Sequence, residues 1–212
     1  QDDRYSRESL TGDLEKLRSY YQDRGYANFD VETVQVALAP EKDDVFITIN
    51  VHEGEQYKFG EVKIAGNLVV PEAQLRNLVL FKPGDTYSRK AITQTQEFMN
   101  LRLGVDGYAF AKIDPVPQED TDKKIVNLTF FVDPGNRAYV RRVNFVGTTA
   151  VDDEVLRREV RQLEGSYLSN SLAERSKERL QRLPYIEKVE FESKPVPGTP
   201  DLVDVDYTIK DG

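Results

Sequence analysis

His52 is the only histidine among 212 residues, and no cysteine accompanies it. A serine–histidine relay or a zinc site needs imidazole or thiolate groups in company, so a lone histidine supports neither. Val45, Ile47, Ile49 and Val51 alternate along the run that holds it, which puts those four on one face and His52 on the other, facing solvent. Asp43-Asp44 and Glu119-Asp120-Thr121-Asp122 gather carboxylates at positions that read as hairpin turns, where Asp commonly bonds its own backbone. A calcium loop would require more oxygen ligands at regular spacing. Gly54, Gly84, Gly107 and Gly135 stand isolated, without the Lys-Ser or Lys-Thr of a phosphate-binding loop. No catalytic, cofactor-binding or metal-binding residue is expected, and function is to be sought in surfaces.

Charge narrows the kind of surface. Asp and Glu total 37 against 29 Lys and Arg, a formal net charge of -8, which disfavours a broad phosphate-neutralising footprint for nucleic acid. Apolar runs such as Leu78 to Phe81 fall far short of the roughly 20 residues that cross a bilayer as a helix, so a soluble segment is expected. The chain opens Gln1-Asp2-Asp3-Arg4, with no basic-then-apolar leader, as a mature or excised piece of something longer would. Freedom from cysteine is compatible with cytosol and periplasm alike.

The elements that carry these residues repeat. Gly25-Tyr26-Ala27 returns as Gly107-Tyr108-Ala109, 82 residues on, and Tyr5-Ser6-Arg7 returns as Tyr87-Ser88-Arg89 and more loosely as Tyr167-Leu168-Ser169. Residues 51 to 67 match residues 132 to 148 in Gly54 and Gly135, Tyr57 and Tyr139, Gly66 and Gly147. In the middle copy, Phe59 to Ile64 reads as a strand. A short helix follows Pro71 with Leu75, Leu78 and Val79 as its buried stripe. Ser88 reads as the N-cap of a second helix in which Ile92, Met99 and Leu103 share a side, with Gly107 turning the chain out. Ala109 to Val116 and Ile125 to Val132 then read as strands, the latter alternating cleanly at Val126, Leu128, Phe130 and Val132. The last copy repeats the order with a strand at Val140 to Val146, helices near Asp153 to Leu163 and Asn170 to Leu183, and strands near Glu187 to Lys194 and Leu202 to Lys210. There Leu183-Pro184-Tyr185 replaces the Gly-Tyr stop. The first copy has only its second helix, with Leu10, Leu14, Leu17 and Tyr21 aligned, and two strands. A sheet lacking one strand and one helix leaves apolar surface open, to be propped by a neighbour or paired with another chain. Each junction is only a few residues long. Tyr57 and Tyr139 there either pack between neighbouring copies or belong to their own cores.

Six stretches carry a family resemblance: "DLEKLRSYYQDRGYANF" (13 to 29), "TVQVALAP" (33 to 40), "EGEQYKFGEVKIAGN" (53 to 67), "DPGNRAYVRRVNFVGT" (133 to 148), "LRREVRQLEG" (156 to 165) and "VPGTPDLVDVDYTIKDG" (196 to 212). In family order they resemble the POTRA domains, the polypeptide-transport-associated modules of the Omp85 family. The resemblance implies an α+β chain of tandem modules, each strand-helix-helix-strand-strand with a three-stranded mixed sheet covered by two helices. It places a partial third module at 1–57, the fourth at 58–139 and the fifth at 140–212, just before a membrane barrel. It also implies a periplasmic site in a Gram-negative outer membrane protein. There the modules bind unfolded barrel precursors by strand addition and dock accessory lipoproteins. Omp85 relatives that export passenger proteins use the same modules, and the barrel sequence would separate the two readings.

Two patches are candidates for docking. In "VQVAL", Val34, Val36 and Leu38 share a face, which either packs under the helix bearing Leu10, Leu14 and Leu17 or, as the resemblance implies, meets a BamB-like lipoprotein through Val36 and Leu38. In "LRREVRQLEG", Val155, Leu156, Val160 and Leu163 are expected to face the core while Arg157, Arg158, Arg161 and Glu164 project outward. That outward face is either merely solvated or, by the resemblance, binds a BamD-like lipoprotein through Glu164, with Arg157 and Arg161 beside it.

Overall fold

A computed structural model of the chain describes residues 2–39, 44–148 and 150–212; Asp43 and the acidic turn read there lie outside them. The elements run α1 (Asp2–Gln22), β1 (Asp30–Ala39), β2 (Asp44–His52), β3 (Lys58–Gly66), α2 (Glu72–Arg76), α3 (Arg89–Val105), β4 (Lys112–Asp120), β5 (Ile125–Asp133), β6 (Tyr139–Val146), α4 (Asp153–Glu159), α5 (Asn170–Gln181), β7 (Ile186–Pro195) and β8 (Leu202–Asp211). They form a two-stranded sheet, β1-β2, and two three-stranded sheets of one topology, β3-β5-β4 and β6-β8-β7. The fold is thus α+β with tandem repeats of the order strand, helix, helix, strand, strand. The chain packs as two compact units, Gln1–Ile64, Leu78–Gln96 and Pro115–Phe130 in one, Ala65–Asn77, Glu97–Asp114 and Phe131–Gly212 in the other.

In the first unit, α1 ends on a left-handed Gly25 (φ 100°), and the Tyr26 N–H reaches back to the Tyr21 carbonyl at 3.1 Å. This i to i−5 bond closes a helix end that only glycine enters at no steric cost. Tyr21 stacks on the buried Phe29 with ring centroids 4.4 Å apart, which anchors α1 to the chain entering β1. Phe59 of β3 is stacked on Phe81 at 3.8 Å, and Phe130 of β5 lies 6.4 Å from Phe81. Ser88 caps α3 by accepting the Ala91 N–H at 3.2 Å.

In the second unit, α3 closes as α1 does, Gly107 at φ 94° and the Tyr108 N–H on the Leu103 carbonyl at 3.1 Å. The core of the last repeat gathers Val140, Val143, Leu156, Leu168, Leu180, Val189, Val203, Val205, Tyr207 and Ile209. Here β6 runs parallel to β8 and β7 antiparallel to it. Burial pushes the Tyr207 hydroxyl up to about 12, and the neutral phenol donates to the Ala173 carbonyl at 3.2 Å. Ser169 caps α5.

Some boundaries differ from the sequence reading for identifiable reasons. α4 ends at Glu159 rather than Leu163, because Val160 is already extended (ψ 128°). Leu163, expected in the core, is 66% exposed, and Val155 is exposed as well; only Leu156 is fully buried. α2 is likewise a single turn, with Leu75 buried and Leu78 and Val79 half-buried beyond its end. In the last repeat the left-handed stop falls on Tyr185 (φ 70°) rather than on Pro184 itself. The Asp120 carboxylate accepts the Asp122 and Lys123 N–H groups at 3.1 Å, the local turn role expected of that acidic cluster.

Candidate interaction surfaces

No group of His, Cys, Asp and Glu that could hold a metal occurs among the described residues, and His52 is exposed at the end of β2. What the molecule offers is strand edges, apolar sheet surface and ionic patches.

The first surface is the β1-β2 sheet. Val34 lies opposite Ile49, Val36 opposite Ile47, and Leu38 opposite Val45. Directly opposed residues share a face, so these six build one apolar surface. It is open: Val36 is 59% and Leu38 74% exposed, while Val45 and Ile47 are also exposed. Burial beneath α1 is therefore excluded for Val36 and Leu38, and the open surface expected of the incomplete first copy is present.

The second surface surrounds α4 and the loop after it. Arg157 donates from Nε to Asp153 at 2.5 Å and from Nη2 to the Val143 carbonyl at 3.0 Å, and its guanidinium lies 5.3 Å from the Phe145 ring centre. Glu164 does not simply project into solvent. Its Oε1 accepts the Val143 N–H at 3.0 Å and sits 3.5 Å from Arg157 Nη1. Both side chains remain about half exposed, 46% and 48%. Arg161 is exposed and donates to the Arg158 carbonyl at 2.8 Å, while Arg158 pairs with Glu154 at 2.8 Å. The structure thus joins Glu164 to Arg157 and leaves Arg161 apart from them.

Reading the sequence missed Gln162, which is fully buried. Its amide donates to the Leu163 and Tyr167 carbonyls and to Ser166 Oγ, and its Oε1 accepts the Ser169 N–H at 2.8 Å. A buried amide satisfied on both ends fixes the 162–169 loop. That loop lies along β6: the Val140 N–H reaches the Ser166 carbonyl at 2.9 Å, and the Gly165 N–H the Val140 carbonyl at 2.7 Å. One edge of the sheet is therefore closed. β3 is closed in the same way, by the Phe59 N–H on the Asp85 carbonyl and the Gly84 N–H on the Phe59 carbonyl, both 2.8 Å.

The opposite edges differ from one another. β4 carries Pro115 and Pro117, which have no N–H; two prolines of one parity in an edge strand belong on its outer side, so this edge is blunted. β7 has no proline before its last residue. Its Val189 N–H is met by Gln181 Oε1 at 3.4 Å, and from Glu190 to Lys194 it pairs, among the described residues, with β8 alone.

The repeats meet through equivalent bonds. The Tyr57 N–H donates to the Gly25 carbonyl at 2.7 Å and the Tyr87 N–H to the Tyr57 carbonyl at 3.0 Å. The Ala138 N–H donates to the Gly107 carbonyl at 2.8 Å and the Leu168 N–H to the Ala138 carbonyl at 2.7 Å. Ala138, not Tyr139, is thus the counterpart of Tyr57: Tyr57 and Ala138 are buried at the two junctions, whereas Tyr139 is 38% exposed. Arg137 covers the second junction, 5.1 Å from the ring centres of both Tyr108 and Tyr167.

Three segments, residues 1–54, 57–135 and 138–212, match the POTRA family, described as a surface antigen variable number repeat. The chain belongs to the POTRA family. Outer membrane protein assembly factor BamA of Neisseria meningitidis serogroup B is 34% identical over 206 residues, 97% of this chain and 26% of that protein. BamA of Buchnera aphidicola is 33% identical over 207 residues, 98% of this chain and 34% of that protein. The chain thus spans about a quarter to a third of the length of these relatives. Among solved structures, the crystal structure of Haemophilus influenzae BamA POTRA3-5 superposes with a TM-score of 0.82 at 37% identity, covering 95% of this chain and 80% of that one. Among the described residues, no helix of this POTRA chain is long and apolar enough to cross a membrane.

Proposed function

We propose that this chain is the periplasmic POTRA scaffold of an outer membrane barrel-assembly factor, with a partial third module at 1–57, the fourth at 58–139 and the fifth at 140–212. It holds unfolded barrel precursors by backbone pairing at sheet edges and docks accessory lipoproteins at its first and last modules, and it carries out no catalysis itself. The observation that carries this reading is the contrast between edges: β4 is blunted by two prolines, whereas β7 leaves Glu190 to Lys194 paired on one side only. Backbone pairing reads extension rather than side-chain identity, which suits a receptor for many different precursors. Val36 and Leu38 form the BamB-like docking surface, and Glu164 with Arg157, flanked by Arg161, the BamD-like one.

The test is capture of purified BamB-like and BamD-like lipoproteins on the immobilised chain. Val36→Glu is expected to abolish capture of the first only, and Glu164→Lys that of the second only. Because Val36 is exposed, its replacement should leave the fold within about 0.5 kcal/mol of wild type. Capture of both lipoproteins at unchanged affinity by both folded variants refutes the assignment.

A further inference from the structure

We infer that the β6 edge of the last module is a second strand-docking site, held shut by Arg157 and Glu164 and opened when a partner engages them. The inference rests on the proposal that partners dock at Glu164 and Arg157, and adds what that docking does.

β6 pairs with β8 on one side, and its other side is closed in two different ways. At Val140 the closure is backbone on backbone, through Gly165 and Ser166, and it is anchored by the buried Gln162. At Val143 both main-chain groups are met by side chains: the N–H by Glu164 Oε1 and the carbonyl by Arg157 Nη2, each at 3.0 Å. These mimic an incoming strand, with one acceptor and one donor presented to the same residue. Unlike a strand, they are half exposed and can swing away without moving the backbone.

Comparison of the repeats isolates the device. Counting 81 residues back from the last module, Val143 corresponds to Val62, Arg157 to Arg76, and Gly165 to Gly84. Glu164, however, corresponds to Pro83, which offers no carboxylate. An arginine stands at this position in both modules, whereas the carboxylate at the position before the glycine stands in the last module and not in the middle one. A partner guanidinium that grips Glu164 through both carboxylate oxygens competes with the Val143 N–H for Oε1, and a partner carboxylate that grips Arg157 competes with the Val143 carbonyl for Nη2. Whichever main-chain group is released, the N–H by Glu164 or the carbonyl by Arg157, lies beside the largely apolar run Val143 to Val146, where an extended polypeptide can replace the lost bond. The occupant is a strand of a precursor, admitted only once the lipoprotein is in place.

Amide exchange of this chain, read residue by residue by NMR, tests the lock. Glu164→Lys should raise the exchange rate of the Val143 amide at least tenfold while the Val205 and Tyr207 amides of β8 stay as in wild type. Glu164→Gln, whose amide oxygen still accepts, should keep Val143 protected. The docking arm uses a twelve-residue synthetic peptide of alternating aromatic and polar residues and a copy N-methylated at every second amide. The unmethylated peptide should bind Glu164→Lys at least tenfold more tightly than wild type and shift resonances from Val143 to Val146; the methylated copy should not. Equal Val143 protection in Glu164→Lys and wild type overturns the inference, as does equal peptide affinity. Peptide shifts confined to β7 also overturn it while leaving strand addition at β7 standing, whereas no binding to either form defeats strand addition altogether.

Discussion

Gly84 and Gly107 hold nearly the same left-handed angle, φ 93° and 94°, yet a Cβ at Gly84 would meet nothing within 4 Å, whereas one at Gly107 would lie 2.9 Å from Tyr167 Cδ2 and 3.1 Å from its Cβ. Substitution of each by alanine therefore separates backbone strain from contact at the junction. An L-residue in the left-handed region costs about 1–2 kcal/mol, and this is the whole expectation for Gly84→Ala. Gly107→Ala carries the same strain and adds overpacking, which in confined sites costs about 1–3 kcal/mol. Tyr167 is 41% exposed and can yield by moving outward, so the total falls near the lower end, about 2–3 kcal/mol. Yielding also draws the ring from Arg137 and loosens the Ala138 N–H bond to the Gly107 carbonyl. Hydrogen exchange measures the local free energy in a chain of several modules, where a single unfolding midpoint does not. Exchange at Ala138 should rise by more than tenfold in Gly107→Ala and stay unchanged in Gly84→Ala. Equal stability losses in the two variants, with Ala138 equally protected, would refute the argument that this turn fastens one repeat to the next.

Other perturbations follow from the same geometry. Leu156→Ala, at a fully buried position, should cost about 2–5 kcal/mol as read by hydrogen exchange of the last module's core amides, whereas Leu163→Ser should be near neutral; a large loss at Leu163 would restore the longer α4. Tyr207→Phe should remove about 1 kcal/mol with its bond to the Ala173 carbonyl. Tyr207 ionises at about 12 when folded and near 10 when unfolded, so its contribution is complete below pH 10 and is lost as the pH climbs towards 12. Alkaline titration monitored by circular dichroism should show a shallower decline in Tyr207→Phe. The Arg141 guanidinium, bonded to Asp204 through both of its carboxylate oxygens, holds that carboxyl below its usual range. Its contribution is present above the unfolded carboxylate range and fades as pH falls through the depressed value. Asp204→Asn should flatten the acid limb of the last module's stability curve, and an unchanged limb would show the pair to be inert.

The repeat order was legible in the sequence because burial writes it there. Val126, Leu128, Phe130 and Val132 alternate, and all four are buried; Ile92, Met99 and Leu103 recur at helical spacing, and all three are buried. Glycines at Gly25 and Gly107 announced the helix ends, since few other residues accept those angles. The helix-like pattern of Val155, Leu156, Val160 and Leu163 misled, because a local period does not reveal that Gln162, rather than Leu163, is the side chain turned inward.

Sequence alone, then, determined the repeated elements and their order, which depend on residue type and short-range spacing. The tertiary structure decided which surfaces are usable. Whether a strand edge is open depends on what lies beside it: prolines blunt β4, Gln162 pins the loop that closes β6 at Val140, and Glu164 bonds an amide 21 residues away. No local pattern encodes those contacts, because hydrogen bonds between distant segments form only once the chain has folded back on itself.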